Sequence, residues 1–367
     1  NQKIALLGAL PVAFWEILQS DAIQGLVLSV GGTGLVLGFA LRGYVKNAFL
    51  NIGYWALALI GGALAVAGAL QIGPLTKYVY KTSVSLRGEY WHAGLNMGFG
   101  HPFTGVGWDG FGEWFRRARR DSALIMPGPE TITNAAHNVF IDIFAYGGFP
   151  LFLSYFALVI FSLIAGLKVI KRVKSYEPIF VTLFAAWVCY NVQAAISINQ
   201  IGLAIWGWIL GGALIAYERS TREDGNAETE PVQSKGKAKG RGKQRSEIGG
   251  YLAGVSGLAI GLMIALPPFI ADAQWRSALT SKDANKVMAS STRWPIDSYR
   301  MGNNAILFQN SNMPAQAYDL AKRGVIYNPE YFDAWKVLNT VTNSTPEEKA
   351  HAMEMMKKLD PKNKTLK

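Results

Sequence analysis

Long apolar segments constrain the fold of this chain more than any other feature. Two of them, residues 22–41 and 48–70, are each about twenty residues long, the length of helix that crosses a hydrocarbon core of roughly 30 Å. Further apolar segments cover residues 4–18, 149–167, 178–197, 201–217 and 249–270. Unpaired backbone groups are too costly in lipid for such segments to be irregular, so each must be a helix. The sequence therefore predicts an all-α fold, a polytopic transmembrane helical bundle of about seven spans, the first of them short and tilted or partial.

Composition agrees with a membrane protein. Half of the 367 residues are hydrophobic and 17% are charged, whereas about 25% charge is usual for a soluble domain. The formal net charge of +11 falls mostly in loops that flank apolar runs, which is typical of a topology signal, so we expect no nucleic-acid partner. The single cysteine, Cys189, excludes an intrachain disulfide and a multi-cysteine metal site. The start at Asn1, without a signal-peptide layout, predicts a fragment that lacks upstream helices.

The basic loops predict the orientation of the chain. Short cytoplasmic loops carry an excess of Lys and Arg, and three regions have this character: Arg42 with Lys46, residues 168–174, and residues 235–245. Seven alternating spans place all three on the cytoplasmic side. The same alternation places the polar segment 71–148 and the C-terminal tail outside the bacterial cytoplasmic membrane.

Proline spacing organises the tail. Pro295, Pro329 and Pro361 recur at intervals of 34 and 32 residues, and helical apolar patterns over residues 315–321 and 350–356 precede the last two. This resembles tetratricopeptide repeats, which have a period of 34 and need about three helix pairs to be stable. Such a stack could bind a protein or ligand, or could pack against the membrane domain.

We therefore expect two domains. Residues 1–270 would form the transmembrane domain, with the outer loop 71–148 and a basic cytoplasmic loop 218–247. Within the cytoplasmic loop, the low-complexity stretch 234–245 is typical of a disordered topology signal, although it could also hold an anionic lipid surface or a nucleic acid. Residues 271–367 would form an extracytoplasmic tetratricopeptide-like helical domain.

Arg87 is the first candidate for chemistry in the outer loop. A short helix is predicted from residue 84 to about residue 97, and Arg87, Tyr90, Trp91 and Gly94 share one of its faces. An arginine beside aromatic residues at a membrane boundary is often only an interfacial anchor. Its planar fork is equally suited to clamp a phosphate or diphosphate.

His137 is the second candidate. It follows residues 131–134, which offer good helix-capping types, so a helix is predicted to start near it and to end at Gly147–Gly148. Asn138 and Asp142 follow it at an i, i+4 spacing. A histidine can take up a proton near neutral pH, yet a lone histidine at a helix start is more often a structural hydrogen-bonding residue.

Arg116 and Arg117 belong to an arginine-rich run that could receive an anionic substrate or anionic lipid headgroups. No cluster of His, Cys and carboxylate residues has the spacing of a metal site. We therefore expect a metal-free mechanism and no cofactor.

An ordered set of motifs in the outer loop resembles a known family. Residues 87–91, the sequence His-Pro-Phe-Thr-Gly-Val-Gly at 101–107, the pair 137–138 and the pair 147–148 together resemble the large outer loop of the bacterial O-antigen ligase and polymerase superfamily. The resemblance covers about residues 20–217. It implies a metal-independent glycosyltransferase that uses a polyprenyl-diphosphate-linked glycan as donor and acts on a lipid, glycan or protein acceptor. Tetratricopeptide-like tails also occur in such proteins, which implies a protein partner for the tail.

The resemblance also implies roles for individual residues. His137 matches the family's essential loop histidine and would be the catalytic base, while Arg87 matches the loop arginine and would stabilise the departing diphosphate. Arg116 or Arg117 would assist Arg87 in binding substrate, and Asn138 would bind substrate beside His137.

Glu89 is a further candidate for substrate binding and a reserve candidate for the base. Ligases often carry another arginine in a Ser-Arg-Gly-like stretch, where this chain reads Ser20-Asp-Ala-Ile-Gln-Gly25. The expected reaction is ligase-like transfer of the glycan to an acceptor hydroxyl. Because this chain lacks that further arginine, two related alternatives stay open, a polysaccharide polymerase and a protein O-oligosaccharyltransferase. A non-catalytic membrane anchor, or a transporter that carries a repeat domain, remains an alternative hypothesis from a different functional class.

Overall fold

The computed structural model describes residues 2–20, 23–69, 85–222 and 247–366. Within these ranges the regular elements are all α-helices, which confirms the predicted all-α class. In chain order they are α1 (Gln2–Gln19), α2 (Ile23–Tyr44), α3 (Ala48–Ala69), α4 (Arg87–Gly100), α5 (Phe111–Ala118), α6 (Ser122–Ile125), α7 (Val139–Arg172), α8 (Pro178–Ala194), α9 (Ile201–Ser220), α10 (Glu247–Ser281), α11 (Ala284–Ser291), α12 (Ser298–Asn310), α13 (Pro314–Tyr327), α14 (Phe332–Thr340) and α15 (Pro346–Leu359).

Five of the described helices are long and apolar enough to cross a membrane, namely α2, α3, α7, α9 and α10. Helix α8 is apolar but shorter, with 17 residues, and α1 contains Pro11. A polytopic helical membrane protein is therefore confirmed. The assignment of α1 and α8 as additional spans stays a prediction, as does the sidedness of every loop.

The chain divides into two compact units, residues 1–224 and 225–367. In the first unit, α2, α7, α8 and α9 enclose an aromatic core. Phe39 contacts Phe180 and Phe184 edge to face, at ring-centroid distances of 6.2 and 6.0 Å. Gly166 allows the close approach of α8, because an added Cβ would lie only 2.6 Å from the ring of Phe184. This core fixes the long helix α7, whose first turns carry part of the candidate site.

The outer segment between α3 and α7 includes a folded layer. Helix α4, found at 87–100 where a helix was predicted from 84 to about 97, crosses the first turns of α7. An added Cβ at Gly94 would lie 2.5 Å from Ile141 Cγ2, and one at Gly98 would overlap the ring of Phe144. Helix α5 completes the layer with the buried rings of Phe111 and Phe115. Close glycine contacts thus join the outer layer to α7.

Helix α7 breaks at Gly148, which has φ 62° and ψ −160°. The sequence predicted a helix end here, and the structure shows that the helix resumes after the break. The carbonyls of Ala145 and Tyr146, released by the break, accept hydrogen bonds from the amides of Val106 and Gly107 at 2.8 and 3.1 Å. The Phe149 amide donates instead to the Pro102 carbonyl at 2.7 Å. The conspicuous turn over residues 101–107 therefore caps a broken helix.

In the described part of the second unit, α10 continues into a helical stack. Alanine, leucine and aromatic side chains from α11 to α15 share one core with the end of α10. The indole Nε1 of Trp275 on α10 donates to Asn304 Oδ1 on α12 at 3.1 Å. Helices α12 with α13 and α14 with α15 form antiparallel pairs at the positions of the predicted repeats. The tetratricopeptide assignment and the boundary at residue 270 stay predictions.

Candidate functional site

The first face of the site lies on α4. As the spacing predicted, Tyr90 and Gly94 are buried there, while Arg87 and Trp91 are partly buried. Two donors on this face, Arg87 Nε and Trp91 Nε1, are buried without a hydrogen-bond acceptor in the described parts of the chain. Buried donors are normally satisfied in folded proteins. These two are therefore available to an oxygen atom that a ligand would bring.

The second face lies at the start of α7. The helix cap is Asn138, whose Oδ1 accepts from the amides of Phe140 and Ile141 at 3.0 and 3.2 Å. The sequence-based cap within residues 131–134 is therefore wrong, because those residues belong to the irregular segment before the helix. His137 immediately precedes the cap and has φ 57°, a left-handed conformation that is uncommon outside glycine. The surrounding contacts must hold it there.

The imidazole of His137 lies against the first face. Its ring stacks on that of Tyr90, with centroids 5.8 Å apart and planes inclined by 27°. Burial lowers the pKa of His137 below its usual 6.5, and the nearby Arg87 cation lowers it further. Because the free side chain titrates near 6.5, the imidazole is neutral at pH 7. A neutral imidazole beside a guanidinium can accept a proton while the cation stabilises negative charge.

Asp142 holds the segment that carries His137. This side chain is 4% exposed, and its Oδ1 accepts from the amide of buried Ala136 at 2.6 Å. The hydroxyl of Tyr146 donates to the carbonyl of Asn134 at 3.4 Å. The i, i+4 spacing from Asn138 placed Asp142 near the helix start, but only the fold reveals its partner, so Asp142 was not among the predicted site residues.

Glu89 is engaged on the exposed side of α4. Its carboxylate accepts from Arg120 Nη2 at 2.9 Å and Arg120 Nε at 3.1 Å, and from Ser122 Oγ at 3.0 Å. Arg120 and Ser122 thus occupy both oxygens of this carboxylate. This environment is less suited to a general base than that of His137.

The two candidate arginines of α5 have different surroundings. Arg116 is 4% exposed and donates to the carbonyl of Pro129 at 3.0 Å. Arg119, which the sequence did not single out, is fully buried and donates to the same carbonyl at 2.8 Å. The guanidinium of Arg117 lies over the ring of Trp114, 3.7 Å from its centroid. Arg116 thus helps to anchor residues 127–129, whereas the guanidinium cation of Arg117 packs against the aromatic ring of Trp114.

Of the predicted site residues, the structure therefore brings together Arg87, His137 and the adjacent Asn138. The contacts found for Glu89, Arg116 and Arg117 are directed to other parts of the outer layer. Among the described residues, no group of three or more His, Cys, Asp or Glu side chains could hold a metal ion; metal independence stays a prediction.

Comparison with known proteins bears on this arrangement. No curated protein and no solved structure matches the chain significantly. One family model does match, and the matched part contains α2 to α6 and the start of α7, with Arg87, His137 and the turn at residues 101–107. Over residues 23–156 the chain matches the family described as O-antigen ligase, and this supports its relation to the O-antigen ligase superfamily.

Proposed function

We propose that this protein transfers a glycan from a polyprenyl-diphosphate carrier to an acceptor hydroxyl at the outer face of the cytoplasmic membrane. The family match supports glycan transfer at a membrane, and the spanning helices suit a substrate with a lipid tail. The observation that carries the proposal is that the partly buried imidazole of His137 stacks on Tyr90, one turn along α4 from Arg87. His137 and Arg87 supply the two functions that the reaction requires.

Arg87 would bind the diphosphate of the donor. It is the first residue of α4, and the preceding Leu86 provides no side-chain cap for the helix start. The amide groups and the dipole at a helix N-terminus favour an anion. Arg87 Nε and Trp91 Nε1, which are buried without acceptors in the described chain, would donate to phosphate oxygens. Preorganised donors of this kind stabilise charge as it develops in the transition state.

His137 would activate the acceptor. Its imidazole takes the proton of the acceptor hydroxyl as the hydroxyl oxygen bonds to the anomeric carbon. The bond between that carbon and the phosphate oxygen breaks, and the lipid diphosphate leaves with the electron pair. The imidazolium beside Arg87 is disfavoured, so it returns its proton to the diphosphate or to water. General base catalysis of this kind contributes about 10²–10⁴-fold.

The remaining candidates would have supporting roles. Asn138 would place His137 by capping α7, in addition to any substrate contact. Arg117 would offer a second cation to the donor, and Arg116 would hold the segment at 127–129 that borders α5. Because arginine cations supply the positive charge, the proposed mechanism needs no metal ion or cofactor.

Substitution of both central residues tests the proposal. We expect His137→Ala and Arg87→Ala each to abolish transfer in proteoliposomes that contain a purified polyprenyl-diphosphate glycan. The histidine variant should bind the donor normally, whereas the arginine variant should bind it weakly. Arg87→Lys should recover little, since lysine keeps the charge but loses the planar fork. Chelators should have no effect.

Exposed residues of the same types provide controls. His351, with a side chain 60% exposed, and Arg276, 78% exposed, lie in the second unit. Their alanine variants should transfer glycan at the wild-type rate. Normal turnover by His137→Ala would refute the assignment of the base.

The acceptor class requires a separate experiment. The glycan profile of a deletion strain distinguishes the related activities. Loss of chain extension would identify a polymerase, and unattached long chains would identify a ligase. Loss of glycan from proteins alone would identify a protein O-oligosaccharyltransferase.

A further inference from the structure

A cationic cleft lies where α7 and α9 end. Five charged residues line it, namely Lys168, Lys171, Arg172, Glu218 and Arg222. Between residues 139 and 170, an α-helix rises by about 45 Å at 1.5 Å per residue. Although α7 has a break at Gly148, the cleft is remote from His137 and Arg87. It is thus separate from the site proposed for glycan transfer.

The carboxylate in the cleft is neutralised by two arginines. Glu218 is 5% exposed and accepts from Arg222 Nη2 at 2.7 Å and from Arg222 Nε at 3.2 Å. Arg172 Nη1 lies 3.6 Å from the same carboxylate, and Arg172 Nη2 donates to Thr221 Oγ1 at 2.6 Å. These contacts fix both guanidinium groups at the wall of the cleft.

Two lysines add further positive charge to the cleft. Lys168 and Lys171 are three positions apart and lie on one side of α7. Glu218 is the lining carboxylate of this cleft within the described residues. Among the described lining residues, four cations therefore face one carboxylate, an excess of three positive charges. An anion in the cleft would relieve their mutual repulsion.

Simple roles for these cations do not explain the cleft. Basic residues favour helix C-termini and orient membrane proteins, but both effects require only charge near the helix end. The Ile170 carbonyl in the last turn of α7 already accepts from Arg42 Nη2 at 2.9 Å. Neither effect requires two lysines to line the same shallow, open site as a fixed Arg–Glu–Arg group.

We propose that this cleft binds the phosphate group of an anionic ligand, with an anionic phospholipid as the natural source. Basic pockets between membrane helices on the cytoplasmic side suit such headgroups, and the positive-inside rule assigns the cleft to that side. On the same helix, the exposed side chains of Ile164 and Leu167 would contact the acyl chain below the headgroup.

Native mass spectrometry of the full chain tests the proposal. The purified protein is incubated with equal amounts of phosphatidylglycerol and phosphatidylcholine, and the retained lipids are counted. Wild type should retain phosphatidylglycerol preferentially. Lys168→Ala with Lys171→Ala should weaken its binding about 25-fold, because each lysine contributes about fivefold. Both arginines remain in this variant, so Glu218 stays paired.

A matched variant and a soluble anion complete the experiment. Lys357→Ala with Lys358→Ala removes the same charge from the last turn of α15 and should leave lipid binding unchanged. Equal retention of the two lipids by wild type, or equal loss in the two variants, would overturn the proposal. Titration with inorganic phosphate at constant ionic strength distinguishes the sources. Lipid that persists in millimolar phosphate supports a headgroup site, and lipid displaced by it supports a site for soluble phosphate. Wild-type glycan transfer by the cleft variant would show that it is folded.

Discussion

Removal of the Asp142 carboxylate gives a quantitative test of how His137 is held. Ala136 is fully buried, and its amide donates to Asp142 Oδ1 at 2.6 Å. In Asp142→Ala this amide loses its acceptor, which costs about 1–3 kcal/mol. The cost falls on the residue next to His137, whose left-handed backbone already requires support of a similar size, about 1–3 kcal/mol. When this free-energy cost is added to that of holding the imidazole in its reactive position, transfer slows about 5- to 150-fold, since 1.36 kcal/mol corresponds to a factor of ten in rate.

Steady-state kinetics in proteoliposomes measure this loss. We expect the fall in kcat, with the KM for the lipid-linked donor unchanged, because Arg87 and Trp91 keep their positions. Asp142→Asn retains an acceptor oxygen at this position, so the buried Ala136 amide can keep its hydrogen bond. The asparagine variant should therefore recover most of the rate. A merely structural role would lower the yield of folded protein without this separation of kcat from KM.

Ser154→Ala is the control on the same helix. Ser154 is exposed, and its hydroxyl donates to the carbonyl of Pro150 at 2.7 Å beyond the helix break. This variant should transfer glycan at the wild-type rate. Full kcat in Asp142→Ala, or an asparagine variant no better than the alanine variant, would refute the positioning argument.

Three other predictions concern proton uptake, the helix break and topology. Because burial and Arg87 lower the pKa of His137 below its usual 6.5, the midpoint of the acid limb in the pH–rate profile should lie below pH 6.5; a midpoint at or above pH 6.5 would contradict this. Gly148→Ala places a Cβ against the Pro102 carbonyl at φ 62°, so it should lower the melting temperature, and an unchanged melting temperature would show that the break tolerates a side chain. A cysteine at position 125, where Ile125 is 87% exposed, should react with an impermeant maleimide in intact cells, in a background without the native cysteine. One at Ser234 should react only after permeabilisation.

Hydropathy and helical spacing predicted the framework of this protein because those signals are local. The apolar runs that correspond to α2, α3, α7 and α9 can be recognised from the local sequence alone. The face of α4 that carries Arg87 also followed from spacing, since one face of a helix is fixed by its period. The sequence therefore predicted which elements carry the candidate residues.

The contacts that decide the roles of individual residues were not predictable in the same way. By residue type, residues 131–134 and Asn138 are equally good helix caps. The hydrogen bond that the Ala136 amide donates to Asp142 is one of the tertiary contacts that favour Asn138. The pairing of Glu89 with Arg120 joins residues 31 positions apart in the chain. The buried Arg119 donates to the carbonyl of Pro129, ten positions along the chain. These contacts join residues 6, 10 and 31 positions apart, farther than the one-turn spacing that a helical pattern reveals.

The capped break in α7 also bears on how chains of this kind can vary in nature. The turn at residues 101–107 is bonded to the end of the first segment of α7, while His137 precedes its beginning. One inserted residue between them would rotate the imidazole by about 100° around the helix axis and shift it by about 1.5 Å. Tyr90 and Arg87 would then no longer face it. We expect natural insertions and deletions to be absent between residues 138 and 148, which fix the spacing between His137 and the break. They should accumulate instead in the segments that connect helices.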